Sequence, residues 1–198
     1  MDKGAFFKLL RLYLQKIGRR NVVKLLISSA EEESRKEIHP MKILLTAFDP
    51  FDGESINPAL ESIQLLPGRI GNIEIIKLKV PTIFGKSIDI VNAAVEREQP
   101  DAVLCIGQAG GIPASVSNSA GTFVCNHLMY GLLHTLSCRY PHIRGGFMHV
   151  PYTPGQVVKL SSPAPCLSAR DIATGIEAAL MAIAENEQDI TSVEGKIC

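Results

Sequence analysis

Along most of the chain, apolar residues come in short blocks whose spacing switches between strand-like and helix-like. Lys42–Ala47 is a compact apolar run that suits a buried parallel strand. Asn57-Pro58 pairs an N-cap residue with proline at the first helical position, Ala59–Leu66 carries a helical pattern, and Pro67-Gly68 ends it. Ile73–Val80 alternates like a half-buried strand, with Ile75-Ile76 breaking the alternation. From about Phe84 to Glu98, Ile88, Val91 and Val95 share one helical face, and Gln99-Pro100 stops the helix before a second buried strand at Ala102–Gly107. Further along, the pattern predicts a strand at Ala114–Ser119, a helix over Thr122–Cys138, a strand at Gly146–Val150 and a terminal helix from Ser168 to about Glu185. Strands alternating with helices predict an α/β fold, here a three-layer α/β/α sandwich around a mostly parallel sheet.

Residues 1–40 read differently, and the sequence divides into an N-terminal extension (1–40) and a domain (41–198). Between Ala5 and Arg19, Phe6, Leu9, Leu10, Tyr13, Leu14 and Ile17 fall on one side of a helix, with Lys8, Arg11, Gln15 and Arg19 opposite. A basic amphipathic helix of this kind suits contact of residues 5–19 with an anionic membrane surface, a transit-like address, a partner's groove, or plain docking on a core. The charged run Glu31–Glu37 has no clear period, and His39-Pro40 halts any helix, so this part reads as a linker.

Composition narrows the function. Of 198 residues, 46% are hydrophobic, enough for one ordinary core, and 20 basic residues balance 20 acidic ones. No global field attracts nucleic acid, and none is expected as a partner. Five irregularly spaced cysteines without a CxxC pair give neither a disulfide framework nor a metal site, so no cofactor or metal is expected and a reducing cytoplasm fits. No apolar run is long enough to span a bilayer, and the N-terminus has no secretory pattern.

Among chemically capable residues, Cys125 is marked by position. It follows a predicted strand, the turn Ser119-Ala120-Gly121 and the first residues of a helix, where unpaired N–H groups and the helix dipole favour a thiolate. The competing reading is a small apolar residue on the helix's core face. His149 falls at the end of a later strand, where catalytic groups of open α/β sheets collect, and suits a general base; it equally suits a structural loop histidine. His127 and His134 are poorly spaced to meet Cys125 on its own helix. The glycines of Gly107–Gly111 fit neither dinucleotide nor P-loop spacing, and a proline follows them.

Four segments, in order, resemble the signatures of the pyrrolidone-carboxylate peptidase (pyroglutamyl peptidase I) family. They are ILLTAFDPFDG (43–53) with Asn57-Pro58, CIGQAGG (105–111), NSAGTFVCN (118–126) with Met129-Tyr130, and GFMHVPY (146–152). The resemblance runs from Met41 to about Ala184. It implies a metal-free, cytoplasmic, oligomeric cysteine-type omega peptidase that removes N-terminal pyroglutamate from peptides. By the same resemblance Cys125 is the nucleophile and His149 its base, Phe48 and Phe51 enclose the lactam ring, and Gln108 lies beside that pocket.

Two departures from the family pattern follow. Asp52 stands where the family's turn has a glycine. After Gly111, relatives have several dozen further residues that include the glutamate completing their triad, which predicts impaired hydrolysis here. The alternative is a catalytically inactive pseudoenzyme, an interaction module or the product of a disrupted gene. The short Gln108–Pro113 connection is also too brief to recross a sheet between two parallel neighbours, so the fold is expected to be incomplete around 108–113.

Overall fold

The structure, a computed structural model, describes residues 40–110 and 116–187. The sequence expectations for residues 1–39 therefore fall outside the described residues. Five strands form one sheet: β1 (Met41–Phe48), β2 (Arg69–Ile70), β3 (Ile73–Val80), β4 (Ala102–Gln108) and β5 (Arg144–Val150), in the order β2-β3-β1-β4-β5. β1 lies parallel to β3, with Met41 opposite Ile73, and parallel to β4, with Ile43 opposite Ala102. β4 is parallel to β5 from Ala102–Arg144 to Gln108–Val150, and only the two-residue β2 is antiparallel.

The helices are α1 (Pro58–Leu65), α2 (Lys86–Glu98), α3 (Val124–Arg139), α4 (Pro154–Val157) and α5 (Ala169–Glu185). Alternation along the strands divides the core in two. Ile43, Leu45, Ala47, Leu104 and Ile106 pack with Ala59 and Ile63 of α1 and with Ile172, Ile176 and Leu180 of α5. Leu44, Phe48, Val103 and Cys105 pack on the other face with Val91 and Val95 of α2 and Leu128, Leu132 and Leu136 of α3. The expected three layers are therefore present. Burying each such leucine or isoleucine side chain stabilises the fold by about 1.5–3 kcal/mol.

Local chemistry sets the helix ends. Asn57 accepts from the Ala59 N–H at 3.0 Å, Ser168 accepts from the Asp171 N–H at 3.1 Å, and Gln99 closes α2 in the left-handed region before Pro100. Asn57 also donates through Nδ2 to the Asp49 carbonyl at 3.2 Å, which ties the start of α1 to the loop leaving β1.

One expectation is corrected. Within the span Ala114–Ser119, the described residues 116–119 form no strand, and β5 occupies the place beside β4. The parallel crossover from β4 to β5 is made through α3, which supplies the length that a six-residue connection lacks. The sheet is continuous as far as Gln108.

Candidate active site

The C-terminal ends of β1, β4 and β5 lie side by side, and each leads to a residue of interest. Phe48 ends β1 and is buried among the residues between the sheet and α2–α3. The chain then turns through Phe51, half-buried, and through Asp52 and Gly53, both left-handed at φ 56° and 76°. Asp49 fixes this turn, because its carboxylate accepts from the Thr82 N–H at 2.8 Å and from the Thr82 hydroxyl at 2.9 Å. Two consecutive left-handed residues explain why glycine suits position 52, and aspartate is among the few other residues that tolerate this region.

Cys125 is the second residue of α3, whose N-cap, Phe123, gives no side-chain capping bond. The preceding loop is held instead by Asn126, whose Oδ1 accepts from the Ala120 N–H at 3.0 Å. Cys125 faces β4 at Gly107: a Cβ built on Gly107 would meet its Sγ at 2.9 Å and the tip of the Phe147 ring at 2.9 Å. Glycine at 107 is thus a packing requirement of the site. Gly107 is the register partner of His149, so the cysteine and the histidine flank neighbouring strand ends on one face of the sheet. The His149 ring stands edge-on to Phe147, with centroids 5.1 Å apart and planes at 74°.

Among the described residues, Cys125 and His149 form no hydrogen bond with each other, and His149 donates none to a carboxylate. Burial pushes the Cys125 thiol up to about 11, against the lowering effect of its own backbone N–H. Burial likewise lowers the His149 imidazole below its ordinary value. Burial thus opposes the thiolate that the helix end favours, and outweighs the hydrogen bond from the backbone N–H. Cys105, under the site in β4, is pushed up to about 12 by burial, with a Thr46 hydrogen bond opposing and nearby Cys125 adding to the rise.

Gln108 is placed differently from the other predicted site residues. Strand alternation turns its side chain to the face opposite Cys125, where its Oε1 accepts from Gln156 Nε2 at 3.3 Å. Gln156 is buried and closes a capping box on α4, its Oε1 accepting from the Thr153 N–H at 3.0 Å. Sequence reading included Gly107, Asn126 and Phe147 in the quoted signatures without giving them a role, and missed Gln156, which carried a local signal in the Thr-x-x-Gln spacing of Thr153–Gln156.

Similarity to known proteins agrees with this architecture. The family model described as pyroglutamyl peptidase matches residues 41–112 and 110–186, two blocks that meet at the Gly110–Ile112 junction. The pyrrolidone-carboxylate peptidase of Clostridium botulinum is 41% identical over 214 positions, covering 80% of this chain and all of that protein. The namesake from Staphylococcus carnosus is also 41% identical over 214 positions, covering 79% and 100%. For the first of these, 80% of 198 residues is about 158, so about 56 aligned positions have no residue here. Among solved structures, pyroglutamyl peptidase I of Bacillus amyloliquefaciens superposes with a TM-score of 0.69 at 33% identity, covering 76% of this chain and all of that one. A mutant pyrrolidone carboxyl peptidase of Pyrococcus furiosus gives a TM-score of 0.66 at 25% identity, covering 75% and 100%. The two matched blocks, the identity across them and the shared sheet all lead to one conclusion: this chain belongs to the pyroglutamyl peptidase family.

Proposed function

We propose that this protein binds peptides through an N-terminal pyroglutamyl group and cleaves the amide that follows it, with Cys125 as nucleophile and His149 as general base, at a rate far below that of its full-length relatives. The observation that carries the reading is the seating of the Cys125 sulfur against Gly107, the strand neighbour of His149. In the reaction the Cys125 proton passes to His149 and sulfur bonds to the pyroglutamyl carbonyl carbon. The C–N bond then breaks as His149 returns the proton to the leaving amine. Water, deprotonated by the same imidazole, hydrolyses the thioester and frees the thiol. Phe51, half-buried in the turn after β1, is the apolar residue offered to the small lactam ring, a neutral ligand that an apolar slot suits, whereas Phe48 is buried in the core.

The low rate follows from what His149 lacks. With no carboxylate among the described residues to hold its tautomer, and with a thiol pushed up to about 11, little thiolate–imidazolium pair is present at neutral pH. These same features favour a second reading, a non-catalytic member of the family that retains the binding site. The four described cysteines are all free, in keeping with a reducing, cytoplasmic setting. No described helix is long and apolar enough to cross a membrane.

The deciding experiment follows release of amine from a fluorogenic pyroglutamyl amide under reducing conditions. Turnover that Cys125→Ser abolishes supports the peptidase. Turnover unchanged in Cys125→Ser removes Cys125 from the mechanism, and binding of L-pyroglutamate without turnover supports the second reading.

A further inference from the structure

We propose that Gln156 is a positioning residue that fixes the amide of Gln108 with its oxygen inward and its NH2 group outward, so that the site selects a ring carrying a carbonyl group. The inference rests on the pyroglutamyl-binding reading given above, and deepens it by naming what tells a lactam from an N-terminal proline ring. The observation that carries it is a relay of two side-chain amides whose direction is set at its buried end. Gln156 is 2% exposed, and its Oε1 accepts from the Thr153 N–H at 3.0 Å and from the Thr153 hydroxyl at 3.3 Å. A backbone N–H only donates, so this end of the Gln156 amide must be its oxygen. Its Nε2, which also only donates, therefore faces Gln108, and the atom that meets it at 3.3 Å must be the Gln108 Oε1. What Gln108 has left to offer is its own Nε2, for which no described residue supplies an acceptor.

Gln108 is the half-buried last residue of β4, directly after Gly107 and opposite Val150, the last residue of β5. It thus stands at the carboxyl edge of the sheet, where open α/β sheets bind their ligands, on the other face of β4 from Cys125. A pyroglutamyl group fits that spread. Its ring nitrogen separates the carbon bearing the scissile carbonyl from the ring carbonyl, so a thiol attacking the first leaves the second to a donor placed elsewhere around the ring. The outward NH2 group donates to that ring oxygen. A proline ring has no oxygen there and leaves the donor unpaired, a loss that polar sites turn into strong discrimination. Gln156 acts here through Gln108: without it the Gln108 amide turns either way, and the ligand must order it on binding.

The test compares two ligands of equal charge by NMR titration of the full chain: 3-oxocyclopentanecarboxylate, which keeps the ring carbonyl, and cyclopentanecarboxylate, which lacks it. The parent protein should prefer the ketone by at least about fivefold, the scale of one neutral hydrogen bond. In Gln156→Glu the carboxylate still accepts from Thr153 but offers Gln108 an acceptor in place of a donor. That turns the Gln108 oxygen outward, and the preference should vanish. Gln156→Met, which buries no charge, should lower the preference to under about twofold, and it carries the test if Gln156→Glu does not fold. Neither substitution should alter the preference once Gln108→Met is in place, a result that a role confined to capping α4 would not give. A preference unchanged in both Gln156 variants would overturn the proposal, as would no preference in the parent or an effect of Gln156 that persists in Gln108→Met. L-Pyroglutamate is titrated alongside. Its failure to bind the parent would sink the pyroglutamyl reading itself, whereas binding that ignores the residue at position 156 sinks this proposal alone.

Discussion

Gly107 and His149 are register partners across β4 and β5, and the space above Gly107 is filled by the Cys125 sulfur and the Phe147 ring. A single methyl there has nowhere to go. Gly107→Ala is expected to lower stability by about 1–3 kcal/mol through overpacking, despite the gain from a stiffer unfolded chain. Urea unfolding measures this. Stability equal to or above that of the parent protein would show that the sulfur and ring yield freely.

Alkaline pH should destabilise the protein through its buried thiols. Cys105 and Cys125 are raised from 9.0 to about 12 and about 11. Below pH 9 both are protonated in the folded and unfolded states alike, and their contribution is fully present. As pH climbs past 9 the unfolded chain releases these protons first, so stability is lost progressively up to about pH 12. Cys105→Ala removes the larger share, and its melting temperature should decline less steeply than the parent's between pH 9 and 11. Parallel declines would show that the Cys105 thiol is not held in its neutral form by the fold.

The turn at Asp52 makes a separate prediction. With φ at 56° next to Gly53 at 76°, position 52 needs a residue that accepts the left-handed region. Asp52→Gly and Asp52→Asn should leave stability within about 0.5 kcal/mol, whereas Asp52→Val should cost about 1–2 kcal/mol, because a branched Cβ clashes with the backbone there. Thermal melts of the three variants distinguish this from a role for the aspartate's charge, which would make Asn and Gly as harmful as Val.

Catalysis should be limited by the missing segment and not by instability. Hydrolysis of a pyroglutamyl amide is expected to run at least about 10³-fold below a full-length relative, the scale on which loss of a triad's orienting carboxylate acts. Inserting the roughly 56 absent positions from the Clostridium botulinum relative between Gly111 and Ile112 should recover most of that loss. A kcat/KM for the unaltered chain within tenfold of the relative would show that another group already orients His149.

Much of this was legible in the sequence, for identifiable reasons. The caps at Asn57 and Ser168 and the unbroken apolar runs of β1 and β4 are local signals, and local physics placed them within a residue or two. The adjacency of Cys125 and His149 was approached from strand and helix ends, which topology collects at one edge. The strand expected at Ala114–Ser119 was misread because an apolar-polar alternation says nothing about whether a partner edge is free, and β5 takes the edge of β4. The burial of Cys125 was not legible in the same way: the helix terminus is visible in the residues around it, but Gly107, against which the sulfur sits, is distant along the chain.

Direct pairing of β4 with β5 has a wider meaning. β4 lies before the junction and β5 after it, and the two pair from Ala102–Arg144 to Gln108–Val150, so these strands join in one sheet without the stretch that full-length relatives carry between the matched blocks. On the reading proposed above, lacking that stretch parts folding from catalysis: the sheet still seats Cys125 and His149, while no carboxylate among the described residues aims the imidazole.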